Sequence, residues 1–333
     1  MKDYPFIEVA IVFKDIDDFI LESVRHCLNL EYPNFSILLL PDREIDFPIK
    51  NKKIRIIPTG PLSIPKKRNI GIKNCLEKAE LIAYVDSDAF PRKDWLTNSI
   101  KYFNNKGVMA VGGPNLTPPN EEFKRKIAGN VVKQKIAIGE SAVRHNISKT
   151  HFIKELPTCN LIVRKGFLED NLFDESLTTG EDANLCSEII KKNYKIIYAS
   201  DVIVFHHRRR IFFPFIKQFY YYGYDKCQLL LSGQLLSAYY LIPFLFFLFI
   251  IFGIIFSFFN SVFSLFFLLF LAVYFLIIFV SSSKSSAENR EIFPTTLSVF
   301  LAHLSYGFGF LNYFFQKIIL RRKKESKTID ANK

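Results

Sequence analysis

Two aspartates one residue apart follow an apolar run, Leu81–Val85. The run is typical of a buried strand, so we expect Asp86 and Asp88 where the strand gives way to a loop. In an open α/β sheet, ligands bind outside the carboxyl ends of the strands. Two adjacent carboxylates are costly there unless a cation lies between them, and their hard oxygen atoms suit Mg²⁺ or Mn²⁺. The pair predicts a metal site with positions left for the phosphate oxygens of a nucleotide-diphosphate substrate, although a solvated loop or a helix cap would use the same residues.

A second acidic pair occurs in Gly180-Glu181-Asp182, immediately before an amphipathic helical pattern. Acidic residues at a helix start are favoured by capping and by the helix dipole, which is one explanation of the pair. The alternative is that Asp182 is a general base that takes a proton from an attacking hydroxyl. Transfer at a sugar anomeric carbon needs a metal for the departing diphosphate and a carboxylate on the opposite face. Asp86 and Asp88 together with Asp182 would supply both.

The elements around these residues form an alternating pattern of strand-like runs and helical segments. This alternation predicts βαβ units and an α/β fold, with a mostly parallel sheet covered by helices on both faces. After Gly112-Gly113-Pro114, residues 115–154 are polar and hard to assign. The predicted strands are 7–13, 36–40, 54–58, 81–85, 108–112, 160–164, 195–198 and 202–205, and the predicted helices are 18–30, 65–78, 94–105 and 182–193.

The C-terminal third is strongly apolar, and residues 239–280 contain no charged side chain. A helix needs about 20 apolar residues to cross the hydrocarbon core of a bilayer. Residues 239–259 and 262–280 therefore predict a transmembrane hairpin. A third segment, 292–315, carries a stripe of small residues, which predicts packing against the hairpin in preference to a role in lining the acceptor site. The number of times that the chain fully crosses the membrane is left open. Two crossings would keep the basic tail on the cytoplasmic side, as the positive-inside tendency favours, whereas three would place it outside.

The basic residues lie mainly beside the apolar segments. The net charge of the 333-residue chain is +12, and its densest basic runs are His206–Arg210 and Arg321–Lys324. That placement favours contact with anionic membrane lipids over nucleic acid. Residues 211–237 mix aromatic and basic side chains and predict interfacial helices.

The N-terminal sequence and the cysteines predict the cellular location of the catalytic domain. Residues 1–5 lack the apolar core of a signal peptide, and the five cysteines include no CxxC pair. We therefore expect an integral membrane protein with reduced thiols and a catalytic domain that faces the cytoplasm. The predicted domains are a catalytic domain at 1–210, interfacial helices at 211–237, a transmembrane region at 238–320 and a basic tail at 321–333.

A series of short motifs follows a fixed order between residues 5 and 228. They are Lys67-Arg68-Asn69-Ile70-Gly71; Asp86-Ser87-Asp88 with Pro91 and Asp94-Trp95-Leu96; Pro157-Thr158-Cys159-Asn160-Leu161; Gly180-Glu181-Asp182 with Leu185; Tyr194-Lys195-Ile196; and His206-His207-Arg208-Arg209 with Gln218 and Tyr222-Gly223. In this order the chain resembles the family-2 glycosyltransferases of the GT-A fold. Its last motif is similar to membrane-anchored members that build exopolysaccharides and lipid-linked glycans.

The resemblance implies an inverting, metal-dependent transfer from a nucleotide-diphosphate sugar to a lipid-linked or membrane-proximal glycan acceptor. It implies that Asp86 contacts the nucleotide sugar, that Asp88 coordinates the metal and that Asp182 is the base. The remaining implied positions are Arg68 and Asn69 near the nucleotide, Asp42 at the nucleobase, His206 at the metal or diphosphate, and Asn160, Glu181, Arg208 and Arg209 in the diphosphate or acceptor region. For the two arginines, binding of lipid head groups is an equal alternative.

Two departures from the family pattern lie at the nucleobase end. Residues 13–17 replace the family's usual polar loop, and Pro41-Asp42-Arg43 replaces its acidic run. The Gln-x-x-Arg-Trp motif is absent, which argues against a processive polymerase. Two alternatives to this transferase are a polyprenyl-phosphate monoglycosyl synthase and a catalytically silent scaffold in a glycan-assembly complex. A nucleic-acid-binding membrane protein is the least favoured alternative.

Overall fold

Residues 4–177, 180–231, 233 and 238–330 are described by the computed structural model. The described residues form two compact units. The first unit comprises the chain up to Asn120 together with Val143–His207, and the second comprises Glu121–Ala142 and the chain from Arg208 onward. The sequence analysis treats residues 1–210 as one continuous domain, whereas the first unit is interrupted by a segment that packs with the C-terminal helices.

The first unit is built on a central sheet. Within the described residues, eight strands form it in the order β3-β2-β1-β4-β9-β6-β10-β8, and β5-β11-β7 form a small second sheet. In the central sheet β9 and β8 run antiparallel to their neighbours, and the other pairings are parallel. The predicted α/β fold with a mostly parallel sheet is therefore confirmed. The strands are β1 (Phe6–Val12), β2 (Phe35–Leu40), β3 (Ile54–Ile56), β4 (Ala79–Tyr84), β5 (Ala89–Pro91), β6 (Val108–Gly112), β7 (Asn115–Leu116), β8 (His151–Phe152), β9 (Leu161–Arg164), β10 (Lys195–Tyr198) and β11 (Val204–His206).

The helices of the first unit cover this sheet. All six residues of β2 are buried, as expected of a strand that is covered on both faces. The predicted helix at 65–78 ends at Lys73, because Asn74 leaves the helical conformation and its side chain donates to the Ile70 carbonyl. The helices of the whole chain are α1 (Asp18–Leu28), α2 (Ile64–Lys73), α3 (Trp95–Ile100), α4 (Phe123–Val132), α5 (Lys135–Ile138), α6 (Lys165–Asp170), α7 (Glu181–Lys191), α8 (Phe213–Leu231), α9 (Ile242–Ser257), α10 (Ser261–Ser285) and α11 (Asn289–Asp330).

The second unit contains the apolar helices. Of the described residues, Ala238–Ser257 and Ser261–Ser285 form the two helices that are long and apolar enough to cross a membrane. They correspond to the predicted spans 239–259 and 262–280. Most of their side chains are exposed in the isolated chain, as expected of helices that face lipid. Asn260 begins the second helix by accepting a hydrogen bond from the Phe263 N–H, at 3.0 Å.

The segment Glu121–Ala142 is held to the C-terminal helices by buried polar contacts. Glu291, which is fully buried, accepts a hydrogen bond from Asn130 Nδ2 at 3.0 Å and pairs with Lys126 at 2.7 Å. His303 Nε2 lies 2.9 Å from the carbonyl oxygen of Ile136. Apolar side chains of α4 pack beside these contacts with α8, α10 and α11. The segment looks unassignable in the sequence because its partners are distant in the chain.

Ser305 and Gly309 of the small-residue stripe contact α8, whereas Ala302 of the same stripe shares an apolar cluster with Ile278 of the hairpin. The predicted packing against the hairpin is therefore confirmed in part, and α8 is a further partner. Ser305 Oγ donates to the Ile216 carbonyl at 2.6 Å. A Cβ added at Gly309 would lie 1.9 Å from the Tyr220 carbonyl oxygen, and one at Gly223 would lie 1.9 Å from that of Tyr306. The two helices therefore approach backbone to backbone. A stripe of small residues predicts such an approach but does not name the partner.

The predicted interfacial segment 211–237 contains one long helix, α8. Residues 232 and 234–237 lie outside the described residues. The position of α8 relative to a bilayer stays a prediction.

Candidate active site

Three potential metal ligands meet at the end of β4. Among the described residues, Asp86, Asp88 and His206 each offer one ligand atom, and these atoms all lie within 4.8 Å of one another. The aspartates follow β4 directly, as the sequence predicts. His206 comes from β11, which pairs antiparallel with β5 so that His206 faces Ala89. This pairing places His206 Nε2 3.2 Å from Asp88 Oδ1.

The donor set fits a divalent cation. Two carboxylates and one imidazole suit Mg²⁺ or Mn²⁺, and the Asp88 side chain, 45% exposed, leaves an open face for further ligands. Burial raises the pKa of Asp86, and the nearby Asp88 and Asp182 carboxylates add to that rise against Arg68 and His206. A bound cation would relieve this repulsion.

The Asp88 carboxylate favours the protonated form of His206. Burial alone would lower its pKa, but the Asp88 carboxylate and the hydrogen bonds to the ring raise the pKa of His206 to about 10. An imidazolium cannot coordinate a metal, so binding through His206 must release its proton. Metal affinity should therefore increase with pH.

Arg68 connects the loop that carries Asp86 and Asp88 to α7, the helix of the predicted base Asp182. Its Nη1 lies 2.5 Å from Glu181 Oε1 and its Nη2 lies 3.3 Å from Asp86 Oδ1. The guanidinium also lies over the rings of Tyr84 and Phe173, with 5.9 and 5.5 Å to their centroids. Arg68 is 4% exposed. Its charge is thus largely committed to orienting Asp86 and the start of α7.

Replacing Arg68 with Met should destabilise the first unit by about 3–5 kcal/mol, because the variant leaves the Glu181 carboxylate buried without its cation. The measurement is denaturant unfolding followed by the fluorescence of Trp95, the sole tryptophan of the chain, which is fully buried in this unit. Arg43→Met is the matched control, since the Arg43–Asp15 pair is exposed and should contribute about 0–1 kcal/mol. Equal losses in the two variants would contradict a buried ion pair at Arg68.

Asp182 occupies the first turn of α7, although not its cap position. Gly180 holds that position in the left-handed conformation (φ 79°), which suits glycine, and no side chain caps the helix. Asp182 Oδ1 accepts a hydrogen bond from the Ala183 N–H at 2.8 Å. Burial, followed by the Glu181 and Glu155 carboxylates, raises the pKa of Asp182 to about 6, against the opposing effects of Arg144 and Arg68. A carboxyl with this pKa is mostly ionised at neutral pH and is still a useful proton acceptor.

Two predicted site residues, Asn69 and Asn160, shape the surrounding loops. Asn160 Nδ2 donates to the carbonyls of Pro114 and Val202, at 3.0 and 2.8 Å, and its Oδ1 accepts from Trp95 Nε1 at 2.9 Å. Both amide hydrogens are therefore engaged within the protein.

Asn69 makes a similar set of contacts with the segment before α7. Its Nδ2 donates to the Phe173 carbonyl and to Glu175, and its Oδ1 accepts from the Phe173 N–H, each at 2.9 Å. Asn69 thus connects α2 to that segment. The predicted nucleotide contact of Asn69 and the substrate role of Asn160 have no direct support in these contacts.

Asp42 lies at the end of β2 and pairs with Lys67. Lys67 Nζ also donates to the Phe13 carbonyl at 3.1 Å, and burial lowers the pKa of this lysine. The two segments that depart from the family pattern, residues 13–17 and 41–43, therefore both contact the buried Lys67. Lys67 lies in the Lys-Arg-Asn motif, but sequence reasoning assigned it no role.

Arg208 and Arg209 belong to the second unit. The Arg208 carbonyl accepts a hydrogen bond from Arg125 Nη1 at 2.5 Å, and Arg208 is buried while Arg209 is exposed. Their role toward a diphosphate stays a prediction.

Three residues beside the predicted ligands and base were missed by the sequence analysis. Cys159 lies within a recognised motif. Arg144 lies inside the unassigned segment and Glu155 directly follows it, so their pairing at 3.3 Å had no signal in the sequence.

Comparison with known proteins identifies the family. The family model described as glycosyl transferase family group 2 matches residues 81–280, which include Asp86, Asp88, His206, Asp182, the first apolar helix and most of the second. The chain belongs to this family. The resemblance inferred from the motifs is therefore confirmed.

The chain is similar to family members and to a solved structure. It is 29% identical to the glycosyltransferase AglE of Haloferax volcanii over 143 residues, 43% of each chain, so the match spans less than half of that relative. It is 23% identical over 324 residues to a Methanococcus voltae protein named dolichyl N-acetyl-alpha-D-glucosaminyl phosphate 3-beta-D-2,3-diacetamido-2,3-dideoxy-beta-D-glucuronosyltransferase, covering 91% of this chain and 96% of that one. The fold matches a mannosyltransferase from Pyrobaculum calidifontis, solved with GDP-Man and Mn²⁺, with a TM-score of 0.51, 14% identity, and coverage of 69% and 64% of the two chains. The predicted GT-A fold is confirmed.

Proposed function

We propose that this family-2 protein is a metal-dependent, inverting glycosyltransferase that moves a sugar from a nucleotide-diphosphate sugar to a lipid-linked or membrane-proximal glycan acceptor. The observation that supports it best is the cluster of Asp86, Asp88 and His206 within 4.8 Å. Asp182 lies in the same unit and is linked to this cluster through Glu181 and Arg68.

The donor would be held at the carboxyl ends of β2 and β4. Asp88 and His206 would hold a Mg²⁺ or Mn²⁺ ion, Asp86 would contact the nucleotide sugar, and Asp42 would lie at the nucleobase. When bound, the ion neutralises the charge that develops on the departing diphosphate. Arg68 would orient Asp86 and oppose the rise in the pKa of that carboxyl.

The acceptor hydroxyl would be activated by Asp182. Its oxygen forms a bond to the anomeric carbon, the bond from that carbon to the diphosphate oxygen breaks, and the electron pair leaves with the diphosphate. The hydroxyl proton passes to the Asp182 carboxylate. Attack from the face opposite the leaving group inverts the anomeric centre.

Two apolar helices and one relative support the proposed acceptor class. The Methanococcus voltae relative, which aligns with nearly the whole chain, is named for a dolichyl-linked sugar phosphate. Ala238–Ser257 and Ser261–Ser285 would place this chain at a membrane, where such an acceptor resides. We propose that the catalytic unit faces the cytoplasm, where basic residues flanking the spans are favoured.

The purified full-length chain should be stabilised against heat by a UDP- or GDP-sugar in the presence of Mn²⁺, and much less in the presence of EDTA. It should transfer that sugar to a lipid-diphosphate sugar. Transfer to a bare lipid phosphate instead would favour a polyprenyl-phosphate monoglycosyl synthase. No response to any nucleotide sugar, with or without metal, would contradict the proposal and favour the silent scaffold.

A further inference from the structure

His207 directly follows the proposed ligand His206 and is bonded to the backbone of another proposed ligand. Its backbone N–H donates to the carbonyl oxygen of Asp88 at 2.9 Å. The bond extends the contact that the β11–β5 pairing makes between these two chain segments. His207 belongs to the His-His-Arg-Arg motif, and no role was predicted for it from the sequence. A shift of His207 would therefore move His206 and Asp88 relative to each other.

The ring of His207 is held by α1. Its Nε2 lies 2.9 Å from Glu22 Oε2, and its ring centroid lies 4.7 Å from that of Phe19. The side chain of His207 is 12% exposed and that of Glu22 is 38% exposed, so the pair is partly shielded from water. Phe19 and Glu22 are three residues apart, which places them on one face of the helix. One polar and one aromatic contact of that face thus fix the ring.

The same helix also contacts β5, the strand that begins directly after Asp88. His26, one turn beyond Glu22, stacks on Phe90 of β5 with 4.3 Å between the ring centroids. Phe90 in turn lies 5.6 Å from the ring of His207. The helix α1 is therefore packed against both chain segments that supply proposed metal ligands.

We propose that His207 is a positioning residue, which Glu22 fixes against α1 so that His206 and Asp88 keep the arrangement that a divalent cation requires. This inference rests on the metal site of the proposed function. Residues that orient metal ligands change metal affinity by about 10–100-fold when they are replaced. The alternative is that the contact between His207 and Glu22 stabilises the first unit without any effect on metal binding.

The test is a titration of the full-length protein with Mn²⁺ in the presence of UDP or GDP, in which free Mn²⁺ is followed by electron paramagnetic resonance. Glu22→Ala should weaken Mn²⁺ binding by about 10–100-fold, because the ring of His207 loses its partner. Glu22→Gln keeps an oxygen that can accept a hydrogen bond from Nε2 and should bind within a few-fold of wild type. Glu31→Ala is the matched control, since it removes a carboxylate from an exposed ion pair with Lys93 and should keep its Mn²⁺ affinity.

A second variant tests the same contact from the histidine. His207→Phe keeps an aromatic ring beside Phe19 and Phe90 but removes the hydrogen bond, so it should lose Mn²⁺ affinity as Glu22→Ala does. The double variant should bind no more weakly than either single variant, because all three lose one and the same contact. Losses that multiply in the double variant would show that the two residues act independently, and they would overturn the proposal.

His206→Ala separates the positioning role from the metal site itself. Loss of Mn²⁺ affinity in His206→Ala, together with wild-type affinity in Glu22→Ala and His207→Phe, would overturn the role of His207 alone. A lower temperature of thermal unfolding in those two variants would then assign the contact to stability. Wild-type affinity in all three variants would overturn His206 as a ligand, and with it the proposal. If Glu22→Ala does not fold, wild-type affinity in His207→Phe would equally overturn the proposal.

Discussion

Replacing Asp88 with Ala should abolish Mn²⁺-dependent nucleotide binding and reduce sugar transfer by on the order of 10³-fold or more, while the first unit stays folded. The physical reason is that the variant removes one of the two proposed protein ligands to the ion that would stabilise the departing diphosphate, an effect of several kcal/mol. The Asp88 side chain is 45% exposed in a loop, so its loss should cost the core little. Transfer is measured with the purified full-length chain, and nucleotide binding by thermal shift with Mn²⁺ or EDTA.

Asp94 offers a matched control for this variant. It follows the same loop, its side chain is 35% exposed, and its carboxylate pairs with Arg92 at 2.5 Å. Asp94→Ala should keep metal-dependent nucleotide binding, although it removes the same chemical group. Retention of Mn²⁺-dependent binding in Asp88→Ala would refute the assignment of Asp88 as a metal ligand.

Asp182→Asn should lower kcat by about 10²–10⁴-fold with little change in donor affinity, because the amide cannot accept the proton of the acceptor hydroxyl. Asn keeps the size of the side chain and an oxygen that can accept the hydrogen bond from the Ala183 N–H, so stability should hardly change. Turnover is measured with saturating donor, and donor affinity by titration. Glu188→Gln, which removes a carboxylate from an exposed ion pair on the same helix, should behave as wild type.

The pH profile gives this prediction a second readout. The base must be ionised, and burial with the neighbouring carboxylates raises the pKa of Asp182 to about 6. Turnover of the wild type should therefore increase as pH rises through about 6 and then level off, whereas Asp182→Asn should lack this limb. Turnover of the variant within a few-fold of wild type, with donor affinity preserved, would mean that Asp182 has only a structural role.

Local sequence patterns were enough for the fold class and for the two acidic motifs. Alternation of apolar runs with helical periods predicts the βαβ units, because strand and helix periodicity depend on neighbouring residues. Asp86 and Asp88 follow their strand as predicted. Gly180 precedes α7 at a position with a left-handed backbone conformation, which suits glycine. The two apolar helices are likewise evident from their length and composition. Glu181 and Asp182 could be placed at a helix start, although their chemistry could not be separated from capping.

Contacts between distant parts of the chain required the tertiary structure. The β11–β5 pairing brings His206 to Asp88, and the packing of α2 brings Arg68 between Asp86 and Glu181. Packing likewise decided that Ser305 and Gly309 of α11 contact α8, and that Glu121–Ala142 joins the second unit. The physical reason is common to these cases: periodicity shows which face of an element is buried, whereas its partner depends on which distant surface is complementary in shape and charge. The sequence by itself therefore determined the elements and their acidic ends, and the tertiary structure decided which side chains meet there.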